Sequence, residues 1–252
     1  MSGERIARAC WWCGAPADSR EHKFKRSDLT AAFGEGAWVN RSVAHGRGRG
    51  REERISYPNA ARSSSLKFEP VMCSHCNSVR SQPADGAYDQ FAAFIRDNGD
   101  DLYDSAVLDW STIFPESWAV GRDQVVRYWV KHIACRLAER EIQVLPALIE
   151  FMNGTGPMAN LRLAMEIRRD FVRLQRDDAA EYGDQTRALW MGDLIGWSSR
   201  STGRFEGASS HWGIDALFVT WEYSVDDPLG STNFGERVNV IPDGAGEAEP
   251  QP

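Results

Sequence analysis

The 252-residue chain holds no run of apolar residues approaching the roughly 18 that a membrane span requires. Its first residues, Met1 to Arg8, carry Glu and Arg where an export signal would carry an apolar stretch. The sequence therefore reads as cytoplasmic, with no membrane partner. The sequence shows no internal repeat. Cysteine is scarce, at five residues, and in a reducing compartment so few thiols do not make a disulfide framework. Apolar residues are plentiful: 42% of the chain, with 10 Trp and 11 Phe, suffices for the core of one large domain or two smaller ones.

Four of the five cysteines fall into two pairs, Cys10-Trp-Trp-Cys13 and Cys73-Ser-His-Cys76. A two-residue spacing lets both thiolates of a pair reach one tetrahedral ion at about 2.3 Å from each sulfur, and two such pairs complete the four positions that zinc prefers. With all four positions filled by protein, the zinc expected here is structural. The 59 residues between the pairs make it close a large loop. Cys135 stands alone in an apolar helical stretch and reads as a buried structural thiol.

The net charge of -7 conceals an asymmetry. Residues 1 to 80 carry 14 Lys and Arg against 8 Asp and Glu, whereas residues 81 to 252 carry 15 against 28. A basic module on an acidic body points to a polyanion contacted locally by the first part, and leaves the acidic half to a protein partner or a second copy of the chain. Within the basic part, Gly46 to Arg51 alternates Gly and Arg at the tip of an expected two-stranded excursion formed by Trp38 to His45 and Glu53 to Tyr57. Arg47, Arg49 and Arg51 there read either as phosphate or minor-groove contacts or as a solvated tip.

Periodicity predicts a strand over Ser63 to Met72, a helical turn over Asn77 to Gln82 ended by Pro83, and a helix over Ala84 to Asn98. Asp100 to Trp118 shows no clear period. Helices are expected over Asp123 to Ile142, over Pro146 to Met152, and from Pro157 to about Asp177 with Leu161, Met165, Phe171 and Leu174 inward. Strands are expected over Arg187 to Trp197, Ile214 to Tyr223 and Arg237 to Ile241. The fold class is α+β, divided as residues 1–98, 99–241 and a disordered Pro-, Gly- and acid-rich tail, 242–252.

Between the cysteine pairs lies Glu21-His22-Lys23-Phe24-Lys25-Arg26, and directly after Cys76 lies Asn77-Ser78-Val79-Arg80. Cys-x-x-Cys, an acidic residue followed by His, and Cys-x-x-Cys-Asn with a downstream Arg together resemble the HNH endonucleases of the ββα-metal class. The variant is the one whose last motif residue is Asn, with a treble-clef-like four-cysteine zinc site. The resemblance covers residues 10 to about 96. It implies a zinc-stapled ββα-metal module, followed here by a mixed helical and antiparallel-strand domain. It also implies a metal-dependent endonuclease acting on DNA, with RNA the less favoured substrate, and a role in phage biology or bacterial defence. His22 would be the general base, and Glu21 and Asn77 would hold a catalytic Mg²⁺ or Mn²⁺. Lys23, Lys25, Arg26 and Arg80 would contact phosphates around the same groove. The residue types suit this chemistry: an imidazole accepts a proton near pH 7, and carboxylate and amide oxygens suit a hard cation.

One position departs from the family pattern: Phe68 stands where the middle Asn, which steadies the loop carrying the catalytic His, usually lies. Either Asn59, Ser64 or Ser65 takes over that task or the module has lost its chemistry. In the latter case the chain would be a zinc-ribbon adaptor for nucleic acid or protein. Asn77 also has two readings, as a metal ligand and as the N-cap of the helix that starts there. His45, His75, His132 and His211 have no motif partners and read as structural or surface residues.

Overall fold

The computed structural model describes residues 8–33, 45–47, 54–56, 66–182, 187–226, 232 and 234–242. It is a mixed α+β chain with eight helices among the described residues and mostly antiparallel sheets. Contacts divide it into two compact units, Met1–Gln82 with His132–Gln143, and Pro83–Lys131 with Val144–Pro252. No described helix is long and apolar enough to cross a membrane.

The first unit is built on two extended segments. Antiparallel bridges join Ser19 to Met72 and His22 to Lys67. Phe68 N–H donates to the Glu21 carbonyl at 2.9 Å, and Lys23 N–H to the Leu66 carbonyl at 2.8 Å. Pairing is interrupted around Pro70, which has no N–H to give. The first segment passes into α1 (Arg26–Phe33). The second passes into a five-residue π-helical turn, Cys76–Arg80, followed by α2 (Gln82–Asp97). The order is thus extended segment, extended segment, helix. Between α1 and the second segment, β1 (His45–Arg47) pairs antiparallel with β2 (Arg54–Ser56), so Gly46 and Arg47 belong to the strand and not to the tip. Arg49, Arg51, Asn59, Ser64 and Ser65 lie outside the described residues, as do Trp38 to Ala44 and the tail from residue 243. Phe68, Val71 and Met72 from the second segment are buried, and so are Ile133, Ala134, Cys135 and Leu137.

Pro83 starts α2 instead of interrupting it, because a proline in the first turn gives up an N–H that has no intrahelical acceptor there. Ala84, Tyr88, Phe91, Ala92 and Ile95 form the buried stripe of this helix at helical spacing. The stretch without a clear period resolves into α3 (Gly99–Ser105), β3 (Val107–Asp109) and α4 (Trp110–Ile113). The long helix α5 (Trp118–Glu139) and α6 (Pro146–Asn153) follow.

A six-stranded sheet forms the rest of the second unit, in the order β10-β4-β8-β7-β5 with β6 also on β7. Its strands are β4 (Leu161–Ile167), β5 (Leu189–Met191), β6 (Ile195–Ser198), β7 (Phe205–Ile214), β8 (Leu217–Ser224) and β10 (Ile241–Pro242). β9 (Arg237–Asn239) pairs separately with β3. The helix expected from Pro157 to Asp177 is therefore a strand followed by a shorter helix, α7 (Arg169–Tyr182). Leu161, Leu163, Met165 and Ile167 are buried in strict alternation, a period of two that pairing with β8 fixes residue by residue. Leu174, expected inward, is exposed. β7 had no strand signal because it is rich in Gly and Ser; a Cβ on Gly207 would stand 2.5 Å from the Tyr223 carbonyl and 2.3 Å from Trp197 Cζ2.

Candidate metal centre and its surroundings

Cys10, Cys13, Cys73 and Cys76 converge, their four sulfurs all within 4.8 Å of one another. None is in a disulfide. Cys13 Sγ and Cys73 Sγ stand 3.6 Å apart, close to the edge of about 3.8 Å that a tetrahedron with metal–sulfur bonds of about 2.3 Å would have. Local backbone shapes each half of the cluster. The first pair sits in a tight turn, with Cys10 N–H donating to Ala15 O, Gly14 N–H to Cys10 O, and Gly14 at a φ of 77°. In the second, Cys76 N–H points at Cys73 Sγ at 3.4 Å. Asp18 Oδ1 braces it by accepting from the Ser74 N–H at 2.6 Å and hydroxyl at 2.9 Å. The Ser74 hydroxyl, more than its N–H, holds the Asp18 carboxyl below its ordinary pKa.

The thiols do not titrate alike. Burial pushes those of Cys10 and Cys76 up, whereas the Ala15 N–H draws that of exposed Cys13 down to about 7. A cluster that disfavours two thiolates in the absence of a cation, yet gathers four sulfurs within 4.8 Å of one another, suits a divalent metal and could hold a structural zinc ion. Neighbours enclose it. Arg80 reaches toward Cys76 Sγ at 4.0 Å and lies over the buried Trp12 ring at 4.5 Å. Trp11 stacks parallel to Trp12 at 5.6 Å and donates from Nε1 to Cys135 Sγ at 3.4 Å. Cys135 in turn contacts Met72 Sδ at 3.2 Å, so it is the buried structural thiol its surroundings suggest.

The residues singled out for catalysis lie on the elements flanking this cluster. Glu21 and His22 are half-buried on the first extended segment, and their side chains interact electrostatically. Burial first, then the Lys67 charge, hold His22 below its ordinary pKa, while Glu21 opposes them. Asn77 is in the π-helical turn. Its Nδ2 donates to Ser19 Oγ at 2.9 Å, tying it to the segment that carries Glu21. Its Oδ1 is buried with no hydrogen-bond partner. An N-cap asparagine would use that oxygen to accept a backbone N–H, so the capping reading of Asn77 fails here.

Of the basic residues, Arg26 is exposed at the start of α1 and acts on the His22 charge. Lys25 is half-buried, its carbonyl accepting from Leu29. Lys23 is half-buried, 5.7 Å above the Phe68 ring and 4.0 Å from Glu139. Arg47 is placed by its backbone in β1. Three further residues stand here, two that sequence reasoning passed over and one, His132, that it read as structural. Lys67 lies opposite His22, and Ser19 anchors Asn77. His132, from the last turns of α5, stands with Nε2 3.4 Å from Glu21 Oε1. Only the occurrence of polar residues within an apolar helix could have hinted that His132 meets a charged partner. No protein-family model, curated protein or solved structure matches the chain.

Proposed function

We propose that the protein is a metal-dependent endonuclease of the HNH type that hydrolyses phosphodiester bonds in DNA. The observation that carries this reading is the buried, unpartnered Oδ1 of Asn77, on an amide tied to the strand of Glu21 and His22. Buried polar atoms without partners are rare, and an amide oxygen left so, on a side chain bonded to Ser19 two residues along the segment from Glu21, is of the type that suits a hard cation. The order extended segment, extended segment, helix, with a four-cysteine cluster at its base, fits the ββα-metal arrangement that the motif resembles.

Each residue then has a task. The four cysteines hold a structural Zn²⁺ that keeps the two knuckles together. Glu21 and Asn77 would hold Mg²⁺ or Mn²⁺, which supplies stabilisation of charge on the phosphate and leaving oxygen. His22, kept neutral at pH 7 by burial and Lys67, takes the proton from the attacking water as its oxygen bonds to phosphorus. The ester bond opposite breaks and its oxygen takes a proton from solvent. Arg26 and Arg80, both exposed, would meet phosphates.

The test is cleavage of supercoiled plasmid by zinc-loaded wild type and His22→Ala, in Mg²⁺, in Mn²⁺ and in chelator. Metal-dependent nicking or linearisation lost in the variant supports the proposal. Wild type that binds but leaves plasmid, single-stranded DNA and RNA intact with either metal overturns it in favour of an adaptor.

A further inference from the structure

We infer that His132 is a positioning residue of the metal site, holding the Glu21 carboxylate in its working orientation from a helix outside the HNH-like motif. The inference rests on the reading of Glu21 as a metal ligand. His132 Nε2 lies 3.4 Å from Glu21 Oε1, an ion-pair contact outside hydrogen-bond geometry, with side-chain exposures of 9% and 12%, so solvent screens it little. The imidazole is fixed from a second side by the Phe68 ring, met edge-on at 5.9 Å and 77°. Phe68 N–H in turn donates to the Glu21 carbonyl.

The helix that presents His132 is itself pinned along one face. Cys135 contacts Met72 and accepts from Trp11. Glu139 accepts the Glu69 N–H at 2.9 Å and pairs with Lys23. Positions 132, 135 and 139 follow the three-and-four spacing that places side chains on one side of a helix. A histidine so held restricts the rotation of the carboxylate it touches, the task that groups around a metal ligand perform. It also bears on Phe68, which occupies the usual place of a polar loop-steadying residue. Here Phe68 packs against His132, and His132 meets the loop at Glu21.

The test is Mn²⁺ binding to the zinc-loaded full-length protein without DNA, by calorimetry and by the resonance of free Mn²⁺. Wild type is compared with Glu21→Gln, His132→Phe, His132→Gln and Cys135→Ala, with melting temperature and zinc content measured for each. Groups around a metal ligand typically change affinity about 10–100-fold. His132→Phe is therefore expected to weaken Mn²⁺ at least about tenfold, and His132→Gln, which keeps a polar nitrogen to face the carboxylate, to recover most of that loss. Cys135→Ala, which disturbs the same helix face away from Glu21, should leave the affinity unchanged. If Glu21→Gln abolishes binding while His132→Phe matches wild type, the inference fails and the nuclease reading stands. Should His132→Gln be as weak as His132→Phe, or Cys135→Ala be equally weak, the role is packing alone and the inference is overturned. Wild type that binds no Mn²⁺ beyond zinc removes the metal reading of Glu21, and the inference with it.

Discussion

Removing the metal from the cysteine cluster should unfold the first compact unit. The magnitude follows from the loop the cluster closes. Cys13 and Cys73 are 60 positions apart, and the chain-entropy relation for a cross-link of that span gives about 4 kcal/mol of lost unfolded-state freedom at room temperature. Structural zinc in small domains contributes roughly 10–16 kcal/mol in all, against a total stability of about 5–15 kcal/mol for an ordinary domain. Either figure is a large fraction of what holds this unit. Metal content should be one zinc per chain. Thiol labelling gives a sharp readout at Cys13, which is exposed and, without metal, titrates at about 7. Free, it would react within seconds to minutes with an aromatic disulfide; metal-bound, it would be protected until chelator is added. Near-ultraviolet circular dichroism from the stacked Trp11–Trp12 pair should collapse at the same chelator concentration. Zinc-free protein with rapidly reacting Cys13 and a thermal transition indifferent to chelator would refute the reasoning.

Lys131 is almost fully buried, with 1% side-chain exposure, and its ammonium lies 2.7 Å from Asp85 Oδ1. Asp85→Ala removes a charge partner from a buried cation and is expected to cost about 2–4 kcal/mol in denaturant unfolding, discounted because Asp85 is itself partly exposed. Adding Lys131→Met to that variant should return most of the loss; a double variant no better than the single one would disprove the coupling. Asp109 caps α4 by accepting from the Ser111 hydroxyl at 2.6 Å and N–H at 3.0 Å, and the hydroxyl chiefly holds its carboxyl below the ordinary value. A depressed carboxyl stabilises the fold above its unfolded pKa of about 4 and loses that contribution as pH falls through the folded value. Asp109→Ala should therefore cost about 1 kcal/mol at neutral pH and progressively less below about pH 4, measured by urea unfolding across pH; a cost independent of pH would contradict the assignment.

What was legible in the sequence was whatever chemistry writes at short range. The two Cys-x-x-Cys pairs announced a site because spacing alone lets four thiolates share one ion, and the sulfurs do converge. Val126, Trp129, Val130, Ile133 and Leu137 gave away α5 because a buried helix repeats its apolar face every three or four residues. β4 was misread because Leu161 and Met165, four apart, fit a helix as well as a strand, and only pairing with β8 decides between them. β7 was not seen at all, since its Gly and Ser positions are set by what packs over them, the Trp197 ring and the Tyr223 backbone, and not by their own propensity. His132 belongs to the same group: its partner Glu21 lies far away in sequence, so no local pattern connects them.

The surroundings of Glu21 and His22 also bear on how such a module would hold DNA. Basic residues near a motif look alike in sequence, but here they differ in exposure. Lys23 is drawn to Glu139 and the Phe68 face. Arg20 is paired with Glu69 at 2.7 Å. Lys23 thereby ties the first extended segment to α5 and Arg20 ties it to the second, and a charge already matched by an acid releases fewer counterions when a phosphate arrives. Arg26 is exposed at the head of α1, and Arg80, also exposed, lies over the Trp12 ring beside the cysteine cluster. Under the proposed endonuclease reading, phosphate contact would fall to these two exposed arginines, one after each extended segment. On that reading a zinc ion in the cluster would bear on DNA binding through Arg80, whose stacking partner Trp12 and neighbouring Cys76 sulfur both belong to the two cysteine pairs.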